Sequence, residues 1–305
     1  MSDGPKLLLI DGTNLCFREF FSKKNLSHKG RAVDVLYGVF KSLTSYHKKW
    51  PDHFRIVAWE GGYARRLAES EAAVEAGLIP SSYKQNRRDK AADPDQTVDL
   101  EPLFEQMAIL EELLAKTKTM QARIKGYEAD DVLHSYAEWA SRHDGEAIIV
   151  SSDQDFYQCI RPNVQVYDAR SKELWTYERF LTEFGWEPDL WVDKGAIEGE
   201  IGPSKDNIFG VDGWGPVTAC KYVTEYGDID AIREAILAKK KRGKKEEVYL
   251  EQEERLRLAK SLKRMDIIDD LPMPRIKRKV TKEEVDAVFL EFGFASLLKE
   301  SWRFV

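Results

Sequence analysis

The chain has 305 residues, of which 43% are hydrophobic and 33% are charged, and its formal net charge is −6. These values predict one large or two modest globular domains and argue against an indiscriminate polyanion binder. No apolar run approaches the roughly 20 residues of a membrane span. The opening MSDGPKLLLIDGTN has neither a basic leader nor a cleavage site. We therefore expect a cytoplasmic protein with no signal peptide and no membrane segment.

The cysteines and histidines exclude several classes of site. Cys16, Cys159 and Cys220 are far apart in sequence, which predicts a reducing compartment and no CxxC zinc or redox site. The five histidines show no metal-ligand spacing, and the chain has no GxSxG elbow and no Walker loop.

Apolar periodicity predicts alternating strands and helices along the first part of the chain. Strands are expected at Lys6–Asp11, 54–62, 147–155 and 164–170, and helices at 32–50, 100–116 and 126–142. Residues 77–99 lack a clean period, so they are interpreted as a mobile excursion rather than core. After about residue 185 the strand signal fades, and an amphipathic helix at 283–298 is expected to pack onto the first region.

This alternation predicts an α/β fold with a largely parallel central sheet covered by helices on both faces. It also predicts two regions, 1–185 and a helical region 186–305. Open sheets of this kind bind ligands beyond the carboxyl ends of their strands. Chemistry is therefore expected at that edge.

Acidic residues follow three of the predicted strands and open one of the helices. The candidates are Asp11, Glu60, Glu128, Asp130, Asp131, Asp153 and Asp155. For any one of them, turn chemistry or pairing with the helix macrodipole is the plainer explanation. Taken together they indicate a site, because the predicted sheet brings several strand ends to one edge.

Carboxylates without cysteine or histidine suit hard divalent cations such as Mg²⁺ or Mn²⁺. Asp153 and Asp155 are two apart in an extended stretch, so their side chains point the same way. A cation between them would remove the repulsion. Two such ions, about 4 Å apart, can activate water and stabilise the leaving oxygen in phosphodiester hydrolysis.

Four motifs in order resemble the flap endonuclease/5′-3′ exonuclease family. They are DGTNL after the first strand, YEADDV at a helix start, SSDQDF after a later strand, and AIEGEIGPSKDNIFGVDGWGPVTACKYV at 196–223. The family includes bacteriophage 5′ nucleases, the nuclease domain of bacterial DNA polymerase I and phage RNase H. The resemblance implies a metal-dependent nuclease domain in 1–185. In 186–305 it implies a DNA-binding region with a helix–three-turn–helix at 196–223.

The resemblance also implies two groups of metal ligands. The tighter group is Asp11, Glu128, Asp130 and Asp153, with Glu60 where the family usually has an Asp. The outer group, for a second ion, is Asp131, Asp155, Glu200 and Asp206. Glu200 replaces the usual Asp and IGPSK lengthens the gap to Asp206, so Glu198 is an alternative ligand.

Two segments are expected to hold the substrate. Gly210, Gly213 and Gly215 resemble the family's phosphate-binding hairpin, which also binds K⁺ through backbone carbonyls; alone they would indicate an ordinary turn. The segment 81–90, within 77–99, resembles the arch or clamp. There Tyr83 would stack on a base, and Lys84, Arg87 and Arg88 would neutralise phosphate charge on one helical face. Without the resemblance, a solvated surface is the plainer interpretation of this basic run.

The function implied is two-metal, structure-specific 5′ nuclease activity that leaves 5′-phosphates, with Asp153, Lys84 and Arg87 as catalytic residues. The expected substrates are DNA with 5′ single-stranded ends, flaps or nicks, and RNA–DNA hybrids, in replication or repair. A monomer, contacts with replication proteins and a bacteriophage source acting in the host cytoplasm are also expected. The alternatives are a DNA-binding module with weak or no catalysis, and a PIN-type ribonuclease.

Overall fold

The computed structural model describes residues 4–22, 25–91, 98–275 and 279–305. A six-stranded sheet of order β5-β4-β1-β6-β7-β8 forms its centre, and all neighbouring strands are parallel except β7 and β8. The strands of this sheet are β1 Lys6–Asp11, β4 Phe54–Ala58, β5 Met120–Ala122, β6 Glu146–Val150, β7 Val164–Asp168 and β8 Glu173–Trp175. A two-residue hairpin supplies β2 Ser27–His28 and β3 Arg31–Ala32.

Helices connect the strands and then make up most of the later part of the chain. They are α1 Gly12–Phe21, α2 Asp34–Lys49, α3 Ala64–Glu75, α4 Gln85–Ala91, α5 Glu101–Leu114, α6 Ala129–Arg142, α7 Tyr177–Phe184, α8 Trp191–Glu198, α9 Pro216–Tyr226, α10 Ile229–Ala238, α11 Lys244–Glu251, α12 Glu253–Lys263 and α13 Lys282–Glu291. Short 3₁₀ helices span Gln154–Cys159, Pro188–Leu190 and Ala295–Phe304. The predicted α/β class with a mostly parallel sheet is confirmed.

The central strand β1 shows why both faces of the sheet are covered. Successive side chains of a strand point to opposite faces. Leu7 and Leu9 enter one apolar cluster while Leu8 and Ile10 enter the other, and all four are buried. A parallel strand buried on both faces needs a continuous apolar run, which KLLLID supplies.

Helices of the later part of the chain pack into one or the other of the two apolar clusters. The cluster that contains Leu7 continues through α8 to α12, whereas the opposite cluster takes in α13 and the C-terminal 3₁₀ helix. There Phe40 of α2 contacts Phe289 and Phe304 edge-on, with ring centroids 5.2 and 5.5 Å apart. The end of the chain thus packs onto the first region, as expected. The helix predicted at 283–298 ends at Glu291, since the chain reverses at Gly293, which has a φ of +74°.

The segment 77–99 differs most from its prediction as a mobile excursion. Ile79, Ser82 and Tyr83 are buried, and α4 follows from Gln85. Residues 92–97 lie outside the described part of the chain. The aperiodic sequence was misleading here because these side chains pack one at a time against other elements, which leaves no repeating pattern. Helices α1 and α3 and the short strand β5 were also not predicted.

No helix of the described residues has the length and apolar content needed to cross a bilayer.

Candidate active site

Acidic side chains converge at the carboxyl ends of three adjacent strands. Asp11 ends β1, Glu60 follows β4 and Asp153 follows β6, while Glu128 and Asp130 lie at the N-terminus of α6. All five line one cavity of about 300 Å³, together with Asp155, Asp206, Lys84, Arg87 and Lys263. The sheet order explains the convergence, since β4, β1 and β6 are neighbours.

Short hydrogen bonds fix the acids at the two central strand ends. Asp11 caps α1 by accepting the N–H of Asn14 at 2.9 Å. The Ser151 hydroxyl donates to the second Asp11 oxygen at 3.4 Å and accepts the N–H of Asp153 at 3.2 Å. Asp153 in turn caps the following 3₁₀ helix through the N–H of Asp155, at 2.9 Å. These hydrogen bonds hold both Asp11 oxygens and one Asp153 oxygen in place at the cavity.

The start of α6 brings three acids close together. Candidate ligand oxygens of Glu128, Asp130 and Asp131 lie within 4.8 Å of one another. Asp131 and Glu128 form a reciprocal capping box, in which the N–H of Glu128 donates to Asp131 at 3.1 Å. The N–H of Ala129 donates to Glu60 at 3.3 Å and so joins the end of β4 to this helix.

The inner acids are Asp11, Glu60, Glu128, Asp130 and Asp153, and of these Glu128 is paired with Lys84 and Arg66. Desolvation in the cavity raises the pKa of Asp11 and of Asp153 to about 6 and that of Glu60 to about 7. Burial also raises the pKa of Asp130 well above its ordinary value. Asp11, Glu60 and Asp153 form no ion pair within the described ranges 4–22, 25–91, 98–275 and 279–305. A cation bound among them would therefore relieve a real electrostatic cost.

The outer acids do not form the single group that the sequence predicted, because each is paired with a basic side chain. Asp131 is held by Arg66, whose guanidinium donates to its two oxygens at 2.7 and 2.9 Å and to Glu128 at 2.6 Å. Asp131 also accepts the N–H of Asp266 at 2.8 Å and is almost fully buried. Both of its oxygens accept from Arg66, so a divalent ion would bind Asp131 only in place of that contact, and its assignment as a metal ligand stays a prediction.

Asp206 contacts three residues of the segment at 81–90. The Arg87 guanidinium forms an ion pair with Asp206, and the Tyr83 hydroxyl donates to it at 3.2 Å. The Asp206 carbonyl accepts the N–H of Lys84 at 2.9 Å. Although burial raises the pKa of Asp206, these contacts direct the carboxylate to the rim that carries Lys84.

Asp155 and Glu200 meet at Lys263, the last residue of α12. The Lys263 ammonium lies 2.8 and 3.0 Å from the two Asp155 oxygens and 2.8 Å from Glu200. Glu200 is held in place by a backbone bridge to Ile208, so the inserted IGPSK bulges outward as a separate loop. The fallback ligand Glu198 instead forms an ion pair with Lys194. Glu200 therefore sits with Asp155 and apart from Asp206.

Lys84 reaches the acids from a strained backbone. Its φ is +55°, a conformation that residues with a Cβ rarely adopt and that is frequent at functional sites. The Lys84 ammonium forms an ion pair with Glu128 and lies 5.2 and 5.5 Å from the ring centroids of Tyr83 and Tyr63. Although burial acts to raise the pKa of Glu128, Lys84 and Arg66 together lower it. This carboxylate is thus kept ionised at the centre of the site.

Two predicted substrate contacts on this segment need correction. Tyr83 is only 3% exposed and its hydroxyl donates to Glu128 at 3.0 Å, so it supports the acids and has no free face for a base. Arg88 turns inward, donating to the Tyr83 carbonyl at 2.9 Å and to the Tyr63 hydroxyl at 3.2 Å. The expected single face of Lys84, Arg87 and Arg88 does not form, since α4 begins only after Lys84. Arg87, which is 45% exposed, remains at the cavity rim.

The glycine hairpin lies between α8 and α9, within the segment 196–223 for which a helix–three-turn–helix was predicted. Gly213 has a φ of +76° and open space around its Cα, and the exposed Gly215 caps α9. Gly210 is different, because an added Cβ there would come within 2.4 Å of the Ile197 carbonyl. Its glycine is needed for close packing, so Gly210 is corrected from a phosphate contact to a structural residue.

Sequence reasoning missed three residues that line the cavity. Arg66 and Lys263 each lie beside other basic residues on amphipathic helices, a pattern that normally indicates a solvated face. Phe17 of α1 also lines the cavity, and its ring centroid lies 6.3 Å from Phe21 and 6.5 Å from Phe104, both about half exposed. The sequence FREFF after DGTNLC was the available signal for this aromatic patch.

Comparisons with known proteins agree with this architecture. The family model described as 5′-3′ exonuclease, N-terminal resolvase-like domain, matches residues 6–185. The chain is 30% identical over 301 residues to a 5′-3′ exonuclease of Aquifex aeolicus, covering 96% of this chain and 94% of that protein. It is 29% identical over 299 residues to the thermostable DNA polymerase I of Thermus thermophilus. That match covers 97% of this chain and 33% of the polymerase, so the chain spans about a third of its length.

Solved structures share the fold. The zinc-bound 5′-exonuclease of bacteriophage T5 superimposes with a TM-score of 0.69 at 20% identity, covering 98% of this chain and 99% of that one. The catalytic core of Rad2 in complex with DNA substrate gives a TM-score of 0.56 at 13% identity, covering 95% and 89% of the two chains. At these identities the likeness concerns the fold alone.

Proposed function

The chain belongs to the 5′-3′ exonuclease family, and we propose that it is a divalent-metal-dependent, structure-specific 5′ nuclease acting on DNA with 5′ single-stranded ends, flaps or nicks. The observation that carries this proposal is the convergence of the inner acids with Lys84 and Arg87 in one cavity. Acids alone would repel a phosphodiester. Acids together with a lysine and an arginine can hold both cations and a phosphate.

The inner acids fit Mg²⁺ or Mn²⁺. The donors are carboxylate oxygens, the ligands that hard cations prefer. Burial raises the pKa values of Asp11, Glu60 and Asp153, so a cation bound beside them would stabilise their ionised forms. Asp11, Glu128, Asp130 and Asp153 would hold the ion, with Glu60 alongside. Divalent ions bound there would supply a nucleophile at neutral pH and neutralise the charge on the leaving oxygen.

The protein's own groups hold and polarise the scissile phosphate. The ion pair with Glu128 holds the Lys84 ammonium in the cavity, so this ammonium is already oriented when a phosphate enters the site. Fixed cations of this kind stabilise the charge that develops on a phosphoryl group during transfer. Arg87 stands at the rim, where it can exchange its pair with Asp206 for a contact to the substrate backbone.

The rest of the DNA is held further from the acids. Gly213 and Gly215 expose backbone N–H groups at the N-terminus of α9, an arrangement that favours phosphate binding. Phe17 and its neighbours offer aromatic faces on which unpaired bases of the 5′ strand can stack, a role that Tyr83 does not fill. Potassium binding at the hairpin, RNA–DNA hybrids as substrates, replication partners and a monomeric state remain predictions.

The test compares cleavage of end-labelled 5′-flap DNA, nicked duplex and RNA–DNA hybrid in Mg²⁺ and in EDTA. We expect 5′-phosphate products in Mg²⁺ alone, and loss of cleavage in Asp130→Asn with DNA binding in EDTA retained. Asp168→Asn is the matched control. Asp168 also ends a strand, β7, but its oxygens cap a turn at Arg170 and Ser171, and it does not line the cavity of the inner acids as that cavity is described.

The three candidate functions predict different results in that assay. A DNA-binding module would bind the flap and cleave nothing. A PIN-type ribonuclease would cut RNA strands and leave DNA flaps intact. Full Mg²⁺-dependent activity in Asp130→Asn would contradict the assignment of the acids.

A further inference from the structure

Lys263 is an enclosed cation that lies between two of the outer acids, Asp155 and Glu200. Its side chain is 9% exposed, and its ammonium contacts three carboxylate oxygens of Asp155 and Glu200 at 2.8 to 3.0 Å. Burial acts to lower the pKa of Lys263, but Asp155 and Glu200 together raise it. The three short contacts place the lysine ammonium directly between the two acids.

The surrounding backbone is shaped to admit this side chain. Lys263 ends α12, and its stem passes Gly195 of α8, where an added Cβ would lie 3.2 Å from the lysine Cε. Glu200 is fixed from the other side by its backbone bridge to Ile208. A cation position between Asp155 and Glu200 is thus built by α12, α8 and the hairpin loop together. It is occupied by the protein itself.

We propose that Lys263 is the resident cation of the outer acids, and that a second divalent ion binds to Asp155 and Glu200 only by displacing it. This inference rests on the proposed function, since it assumes a first ion at the inner acids. It follows that the two ions bind with unequal affinity. Among the described residues, the inner acids Asp11, Glu60 and Asp153 form no ion pair that a metal would have to break. At Asp155 and Glu200, a metal must first break the charge-assisted contacts with Lys263.

The test counts Mn²⁺ bound to the DNA-free protein by electron paramagnetic resonance. In the wild type we expect one tight Mn²⁺ and a second that binds much more weakly. In Lys263→Met the second ion should bind about tenfold or more tightly, the size expected when one or more charge-assisted hydrogen bonds no longer compete. The first ion should bind as before.

Two variants serve as controls. Lys263→Arg keeps a cation between the acids and should keep the second ion weak. Lys260→Met removes a lysine one turn earlier on α12, where it contacts the buried Asp193 at 2.7 Å, away from the cavity. It should leave both Mn²⁺ affinities unchanged.

A second measurement uses the wild type, in case Lys263→Met does not fold. Acetic anhydride labelling read by mass spectrometry should modify Lys263 slowly in the metal-free protein. At saturating Mn²⁺ we expect its labelling to rise several-fold relative to Lys260. Unchanged protection of Lys263 while two Mn²⁺ are bound would overturn the displacement.

The outcomes separate this inference from the proposed function. Identical isotherms for the wild type and Lys263→Met, with the tight ion intact, would overturn the role of Lys263 alone. If Lys263→Met only weakened DNA binding in EDTA, Lys263 would be a phosphate contact and the inference would again be wrong. Absence of any tight Mn²⁺ in the wild type would overturn both.

Discussion

Replacing Arg66 with methionine tests whether Asp131 is a structural acid or a metal ligand. The Arg66 side chain is 3% exposed and donates five hydrogen bonds, three of them to Asp131 and Glu128. The other two reach the carbonyls of Leu262 and Arg264 and tie the site to α12. Removing one partner of a buried ion pair leaves the other charge uncompensated, at a cost of about 3–5 kcal/mol.

We therefore expect Arg66→Met to lose about 3–5 kcal/mol of unfolding free energy in urea denaturation with EDTA present. Arg257→Met is the control, because Arg257 of α12 is half exposed and forms ion pairs with Asp230 and Glu253. Its loss should be about 1 kcal/mol or less. The double variant Arg66→Met/Asp131→Leu should recover part of the lost stability, since it removes the uncompensated Asp131 charge while Glu128 keeps its ion pair with Lys84.

Metal binding in the same variants decides the role of Asp131. If Asp131 is structural, Asp131→Asn should lower stability and leave the number of bound Mn²⁺ unchanged. A decrease in unfolding free energy below about 1 kcal/mol in Arg66→Met, together with loss of one bound Mn²⁺ in Asp131→Asn, would contradict a structural role for Asp131.

Three further predictions concern catalysis and pH. Lys84→Met should lower the rate of 5′-flap cleavage about 10²–10³-fold in single-turnover assays. Lys90→Met, on the exposed end of α4, should leave the rate unchanged. Equal cleavage rates in Lys84→Met and the wild type would contradict the role of Lys84. Because metal binding displaces protons from carboxylates with a pKa of about 6 to 7, Mn²⁺ affinity should rise from pH 5 to about 7.5 and then level off, with proton release seen by calorimetry. Burial lowers the pKa of His134 from 6.5 to about 4, so the stability it contributes is complete above pH 6.5 and falls as the pH decreases towards 4. His134→Gln should therefore reduce the stability difference between pH 7.5 and pH 5 by about 2 kcal/mol, and an unchanged difference would contradict the assignment.

The inner site could be predicted from the sequence because its geometry follows from regular structure. Apolar runs identify β1, β4 and β6, and parallel strands bring their carboxyl ends to one edge. Asp11, Glu60 and Asp153 then converge whatever the details of packing. The helix opened by YEADDV follows from its periodicity and its acidic first turn.

The outer site could not be predicted because it depends on contacts between residues distant in sequence. Lys263 reaches Asp155 across 108 residues, and Arg66 reaches Asp131 across 65. Nothing in the local pattern of α3 or α12 distinguishes these cations from solvated ones. Tyr83 was assigned to the substrate for the same reason, since its burial depends on α3 and on the loop at Asp206.

The central claim is that acids from separate elements form one cavity that binds hard cations. An anomalous difference map from a crystal soaked in Mn²⁺ tests it most directly. We expect a strong peak bounded by Asp11, Glu128, Asp130 and Asp153. A second, weaker peak should lie near Asp155 and Glu200, with Lys263 displaced from them. Manganese density elsewhere and none in this cavity would contradict it.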